Sequence, residues 1–223
     1  MIKEMDLVKD YPSNVARALL DGRIDMGLVP VAIIPKMEEY YINTDYCIGC
    51  DGEVASVCLH SDVPISDIES ILLDYQSRTS VQLAKVLMRE YFKITPQLIG
   101  AGENYQAEIK GTTAGLVIGD RSLKQRNKSK YTYDLGEAWK KHTGLPFVFA
   151  AWISNKPIDP EFIARFNDAN GIGMNHIPEI VNGLDFPEYD LERYYTENIQ
   201  YHLDDLKMDA LKLFLSKLEP ASV

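Results

Sequence analysis

The feature that most restricts this chain is a helix that hands directly to a short buried strand. Val15, Ala16, Leu19 and Leu20 share one helical face behind Tyr11-Pro12-Ser13, where a proline suits the first turn. Asp21-Gly22 ends that helix, because glycine tolerates the left-handed backbone that a C-terminal cap needs. Ile24-Asp25-Met26-Gly27-Leu28-Val29 then reads as a strand, stopped at Pro30. Helix, glycine and short apolar strand together predict one crossover of a parallel α/β sheet.

The same grammar recurs along the chain. Strands are expected at Ser56-Val57-Cys58-Leu59-His60, Ser70-Ile71-Leu72-Leu73-Asp74, Ala114-Gly115-Leu116-Val117-Ile118-Gly119 and, more briefly, Tyr131-Thr132-Tyr133. The polar turn Tyr75-Gln76-Ser77-Arg78 leads into a helix over 79–91 that buries Leu83, Val86, Leu87 and Met88. A short helix follows over 136–142. Phe147-Val148-Phe149-Ala150-Ala151-Trp152-Ile153 is a continuous apolar run, fit for a strand covered on both faces. Beyond Pro157 the pattern turns wholly helical, over 160–170, 177–182, 191–199 and 204–218. Periodicity alone is equally satisfied by one α/β domain or by two lobes.

Composition narrows the function classes. The 223 residues are 46% hydrophobic and 25% charged, which is enough apolar material for a packed core and argues against disorder. A formal net charge of −10 opposes a nucleic-acid or anionic-membrane surface, yet helix N-termini and single arginines still hold small anions locally. Met1-Ile2-Lys3-Glu4-Met5-Asp6 has no apolar segment of a secretory signal, and the longest apolar stretches are too short to span a bilayer. Three cysteines do not suggest a disulfide framework, so a soluble cytoplasmic protein is expected.

An ordered series of motifs carries a resemblance. Ala18-Leu19-Leu20-Asp21-Gly22-Arg23-Ile24-Asp25-Met26-Gly27-Leu28-Val29-Pro30 comes first, followed by Ile48-Gly49-Cys50-Asp51-Gly52-Glu53-Val54 and Ser56-Val57. Leu73-Asp74 with Ser77-Arg78-Thr79-Ser80, Val117-Ile118-Gly119-Asp120 and Tyr133-Asp134-Leu135-Gly136-Glu137-Ala138-Trp139 follow. Thr143-Gly144-Leu145-Pro146-Phe147-Val148-Phe149-Ala150 and Tyr195-Thr196-Glu197-Asn198-Ile199-Gln200-Tyr201 complete it. Each motif alone is weak; in this order they resemble the menaquinone-biosynthesis enzymes of the MqnA type.

The resemblance implies an α/β, two-lobed, periplasmic-binding-protein-like (class II) fold with a helical C-terminal tail. One lobe would comprise residues 1–58 plus 155–223 and the other 59–154, with the hinge near 57–60 and 150–154. It also implies loss of water from chorismate, a small anionic substrate, to give 3-[(1-carboxyvinyl)oxy]benzoate in the futalosine route, with no metal or organic cofactor. Family members normally begin with a strand and a Ser-Tyr-Leu-Asn-like loop about 25 residues upstream of Met1. That loop's asparagine is expected to contact substrate, so its absence implies a truncated, mis-started or inactive form.

Ser77-Arg78-Thr79-Ser80 is the leading candidate site. Free N–H groups at a helix start, hydroxyl donors and a guanidinium suit a carboxylate. Ser and Thr also cap countless helices, and Arg78 would equally serve a hinge or interlobe ion pair. The resemblance assigns catalysis to Ser77 and Ser80, with Arg78 and Thr79 binding substrate. Gly119 and Asp120 sit where a strand ends, the usual ligand edge of an α/β sheet, and the same position equally suits Asp120 as a plain helix cap. Val29 and Pro30 stand at another strand end, as cleft lining or plain terminators. Phe147, Phe149 and Trp152 fit a core better than a stacking surface.

Cys47-Ile48-Gly49-Cys50 lacks the second ligand pair of a structural zinc site, and His60, His142, His176 and His202 form no metal-binding pattern. Nor is there a nucleophile elbow, a P-loop or a dinucleotide fingerprint. Two rivals remain. One is the sister enzyme of the same pathway, 1,4-dihydroxy-6-naphthoate synthase, which shares the fold. The other is a non-catalytic solute-binding or sensor domain, for which neither a signal segment nor a basic DNA-binding helix pair is visible.

Overall fold

The computed structural model describes residues 5–218. The expected lobe termini at 1–4 and 219–223, and most of the segment read as lacking a signal, lie outside them. Helix α1 (Pro12–Leu20) opens with proline and closes as its sequence demands. Gly22 has φ +69, its N–H donates to Leu19 O at 3.1 Å, and the Arg23 N–H reaches back to Ala18 O at 2.8 Å. These paired bonds are the glycine-terminated helix cap, and they turn the chain into β1 (Met26–Pro30).

Strand β1 does not lie in a parallel sheet, as the helix–strand grammar suggested. Its partner is β8 (Phe147–Ser154), in antiparallel register with Met26 opposite Ser154 and Pro30 opposite Ala150. β8 is itself flanked by β2 (Tyr41–Cys50), and β2 pairs with β9 (Gln200–His202), so the first sheet runs β1-β8-β2-β9, antiparallel throughout. A central place between two strands explains why β8 reads as an unbroken apolar run. Strand β9 corrects the expectation of a wholly helical tail.

The second sheet is built from β3 (Val57–Ser61), β4 (Ser70–Leu73), β5 (Gln97–Gly100), β6 (Thr113–Ile118) and β7 (Tyr131–Asp134). Their order across it is β5-β4-β6-β3-β7. β5, β4 and β6 run parallel, while β3 is antiparallel to both β6 and β7. The expected hinge strands thus stand in different sheets, and β8 pairs within the first sheet from Phe147 onward.

Helix α2 (Thr79–Leu87) leaves the end of β4 and widens into a π turn over Met88–Phe92, so the helix expected over 79–91 is present in two geometries. α3 (Asp120–Arg126) leaves the end of β6, and α4 (Leu135–Thr143) the end of β7. The tail carries α5 (Pro160–Asn175), α6 (Ile177–Asn182), the single turn α7 (Leu191–Arg193) with a π turn over Tyr194–Asn198, and α8 (Asp205–Ser216).

One continuous core takes side chains from both sheets, including Val29, Cys47, Phe147 and Ile153 from the first and Leu59, Ile71 and Leu116 from the second. Trp139 of α4 packs edge-on against Phe147 and Phe214, at centroid distances of 5.2 and 6.0 Å. Phe147 and Phe149 are core residues, whereas Trp152 is only partly buried and meets Phe166 at 4.8 Å. Among the described residues no helix is long and apolar enough to cross a membrane.

Candidate functional site

The two parallel strands β4 and β6 end side by side, and each delivers a turn and a helix start to the same sheet edge, where α/β proteins gather ligands. After β4 come Asp74 and the turn Tyr75-Gln76-Ser77-Arg78; after β6 come Gly119 and the first residues of α3. Gly119 has φ +63 and ψ −149, a conformation open to glycine, and it lets the chain break from strand to helix in one residue. Its N–H donates to Ser56 O at 2.7 Å.

The Ser77 hydroxyl accepts the Ser80 N–H at 3.1 Å, so it performs the capping role that sequence allowed. An accepting hydroxyl still keeps its own proton to donate. Thr79 and Ser80 are nearly fully buried. Thr79 Oγ1 accepts the Ala32 N–H at 3.3 Å, which ties the start of α2 to the turn after Val29 and Pro30. Val29 and Pro30 are buried at the end of β1. Arg78 is half-buried and makes no ion pair among the described residues, so the structure shows no hinge bridge for it.

Asp120 is exposed and occupies the first helical position, with Gly119 as the cap residue and no side-chain capping bond. It lies close enough to Tyr194 and Tyr195 to hold their phenols above their ordinary range, behind burial as the main cause; Tyr194 is pushed up to about 12. The Tyr194 hydroxyl donates to Ser56 Oγ at 2.9 Å. Thr79 thus ties the start of α2 to the turn after Pro30, while Gly119 and Tyr194 both meet Ser56 beside the end of β6.

Sequence reasoning missed the residues that brace this edge. The Asp74 carboxylate is closed to solvent, accepts the Gln76 N–H and the Tyr105 hydroxyl at 2.8 Å each, and forms an ion pair with Arg121 Nη2 at 2.8 Å. Arg121 Nη2 also lies 2.9 Å from Gln76 Oε1, and its guanidinium covers the Tyr75 ring at 5.4 Å. Burial, then the Asp74 charge, pushes the Tyr105 phenol up. An aspartate at the C-terminal end of a strand in Leu73-Asp74 was the available signal; its partners lie 31 and 47 positions away.

A second polar knot sits at the crossing between the sheets. Asp134 accepts the Val54 and Ala55 N–H groups at 3.1 and 2.7 Å and caps α4 through the Glu137 N–H at 3.0 Å. Ala55 has φ +62, a left-handed conformation uncommon for alanine, and Arg126 joins Glu53 to the same cluster. Asn198 Nδ2 donates to Glu53 O at 3.1 Å, so the tail is laced to the crossing as well.

Cys47, Cys50 and Cys58 are free and buried. Desolvation is the chief cause that pushes the Cys47 thiol up to about 12 and the other two up as well. Among the described residues no group of three or more His, Cys, Asp or Glu is placed to hold a metal ion. A cavity of about 940 Å³ opens elsewhere, between α5–α6 and β9, with Tyr46, Met174, Ile177, Tyr201 and Lys207 in its walls. Residues of the Tyr195–Tyr201 motif and His202 also line it, but none of Val29, Pro30, Ser77, Arg78, Thr79, Ser80, Gly119 and Asp120 does.

The comparisons converge. A family model described as menaquinone biosynthesis matches residues 2–220. A chorismate dehydratase of Thermus thermophilus is 26% identical over 93% of this chain and 84% of its own length. One from Campylobacter jejuni is 27% identical over 95% of this chain and 82% of its own. Among solved structures, a protein from Archaeoglobus fulgidus superposes with a TM-score of 0.66 at 14% identity, covering 95% of this chain and 84% of that one. The periplasmic aliphatic sulphonate binding protein of Escherichia coli gives 0.55 at 12%, covering 97% and 82%. These likenesses show a solute-binding-protein-like fold.

Proposed function

The chain belongs to the menaquinone-biosynthesis family, and from that premise we propose that it is a chorismate dehydratase, a carbon–oxygen hydro-lyase giving 3-[(1-carboxyvinyl)oxy]benzoate. We infer two lobes, residues 1–58 with 155–223 and residues 59–154, a division supported by the presence of two sheets, although β3 falls wholly in the second sheet and β8 in the first. The ligand lies where β4 and β6 end, and the location is cytoplasmic. The observation that carries the reading is that the turns after β4 and β6 meet at one sheet edge, joined by Arg121 to Asp74 and Gln76, in a chain similar to chorismate dehydratases.

The reaction removes the ring proton beside the ether and the neighbouring hydroxide, and the ring becomes aromatic. The enzyme's task is to position a small dianion and to stabilise charge that spreads into the ring carboxylate. Ser77, Thr79 and Ser80 stand at a helix start, with Arg78 half-buried beside them. Val29 and Pro30 are buried at the end of β1, whose following turn Thr79 holds through Ala32. Asp74 already holds two hydrogen bonds and an ion pair, so it is no free base; Asp120 remains exposed. The substrate's own side-chain carboxylate takes the proton, and the protein supplies donors and a dry cleft.

Chorismate turnover, followed by the absorbance of the benzoate product, tests this. Ser77→Ala and Ser80→Ala are expected to lower kcat/KM at least about tenfold, while loss of the Ser77 cap costs about 1 kcal/mol of stability. Unchanged turnover in both variants would remove the assignment. Binding without turnover in the wild type would favour the solute-binding alternative, and cleavage of the cyclic futalosine derivative the naphthoate synthase.

A further inference from the structure

We infer that Arg121 is a specificity residue that receives one of the ligand's two carboxylates, with Asp74 as the positioning residue that aims it. This deepens the proposed function and rests on it only in taking the ligand to be a small dicarboxylate.

The geometry is that of an arginine fixed on one side and left open on the other. Asp74 and Gln76 both engage Nη2, at 2.8 and 2.9 Å, and Tyr75 covers one face. Among the described residues, Nη1 and Nε have no protein partner, although Arg121 keeps only 30% of its side-chain surface exposed. A guanidinium has five N–H donors in a rigid plane, so three remain for a ligand and their direction is already set. Neutralising Asp74 does not by itself call for this arrangement, because that carboxylate also holds the Tyr105 hydroxyl and the Gln76 amide.

Arg78 adds the second cation. Arg78 and Arg121 flank the Gln76-Ser77 turn, and the former lacks any ion pair among the described residues. In a chain of net charge −10, two guanidiniums beside one helix start provide what a dianion needs. The exposed Asp120 carboxylate precedes Arg121, so the ligand's anionic groups sit on the Gln76–Ser77 side of α3, away from Asp120.

Calorimetric binding by this chain of three acids tests the inference: the benzoate product, 3-isopropoxybenzoate and 2-phenoxyacrylate. The first has both carboxylates, and each of the others keeps one. Arg121→Gln is expected to weaken the dicarboxylate at least about tenfold and one monoacid by a similar factor, while the other changes less than about twofold. Arg121→Lys should recover only part of this, because an ammonium lacks the fork. Asp74→Asn should weaken the same two acids more mildly. Tyr105→Phe, which strips a donor from Asp74 without touching Arg121, should leave that selectivity in place. Uniform losses for all three acids, no loss, or a wild-type chain that binds none of them would overturn the inference. Arg121-dependent binding without chorismate turnover would instead remove the dehydratase reading and leave the inference standing.

Discussion

His60 shows how one buried side chain couples this fold to pH. It is fully buried in β3, with Nε2 3.0 Å from Ser122 Oγ and Nδ1 3.4 Å from Thr132 Oγ1. Burial, assisted by Arg126, lowers its pKa from 6.5 to about 4. Below 6.5 the unfolded chain gains a proton that the folded chain refuses, so stability present above that pH is lost as pH falls toward 4. The loss is at most about 1.4 kcal/mol per pH unit. Urea midpoints should therefore drop between pH 7 and pH 5, and His60→Gln should flatten that slope; an equal slope in the variant would show that other groups carry it. Ser77 and Thr79 were legible as a helix start because hydroxyl residues before an apolar stripe have few other meanings. Arg121 was not, because nothing in the basic residues of α3 marks the one that meets an aspartate 47 positions earlier.

At the scale of elements, the clearest sequence signals belonged to units whose contacts are local. α1 with its glycine cap and β8 with its central burial were both readable. β2 was not expected, and its structure explains why: register shifts between Ile42 and Cys47 and between Ile48 and Gly49 break the alternation a strand would show. β5 and β9 span only four and three residues and pair by position rather than by pattern. Tertiary contacts also fix the helix ends. Glu90, in the π turn after α2, meets Lys217 Nζ at 2.5 Å, Arg89 at 2.8 Å and His142 Nε2 at 3.3 Å, joining α2, α4 and the end of α8. The Lys217 bond is the main cause that lowers its pKa from 4.5 to about 2. Its contribution is complete above 4.5 and fades as pH falls toward 2. Glu90→Gln is expected to cost about 1–2 kcal/mol at pH 7 after allowance for solvent screening, with the gap to wild type closing below pH 4.5 in denaturant titrations.

Over the whole molecule, the two sheets are stitched by apolar packing and by the polar knot of Glu53, Asp134, Arg126 and Asn198. A core that takes side chains from both sheets should unfold as one unit. In Trp152→Phe, the remaining Trp139 fluorescence and the far-ultraviolet circular dichroism should share one midpoint; separate midpoints would show two independently stable halves. Sequence periodicity left one and two bodies open, because the joining residues are scattered singly along the chain rather than set in a repeating pattern. The buried cysteines have a practical consequence at this scale. All three thiols are enclosed and held protonated, so none is available to a maleimide. A pair of cysteines introduced on the rims of the two sheets would accept fluorophores or spin labels alone, so the distance between the sheets becomes measurable in the otherwise native protein.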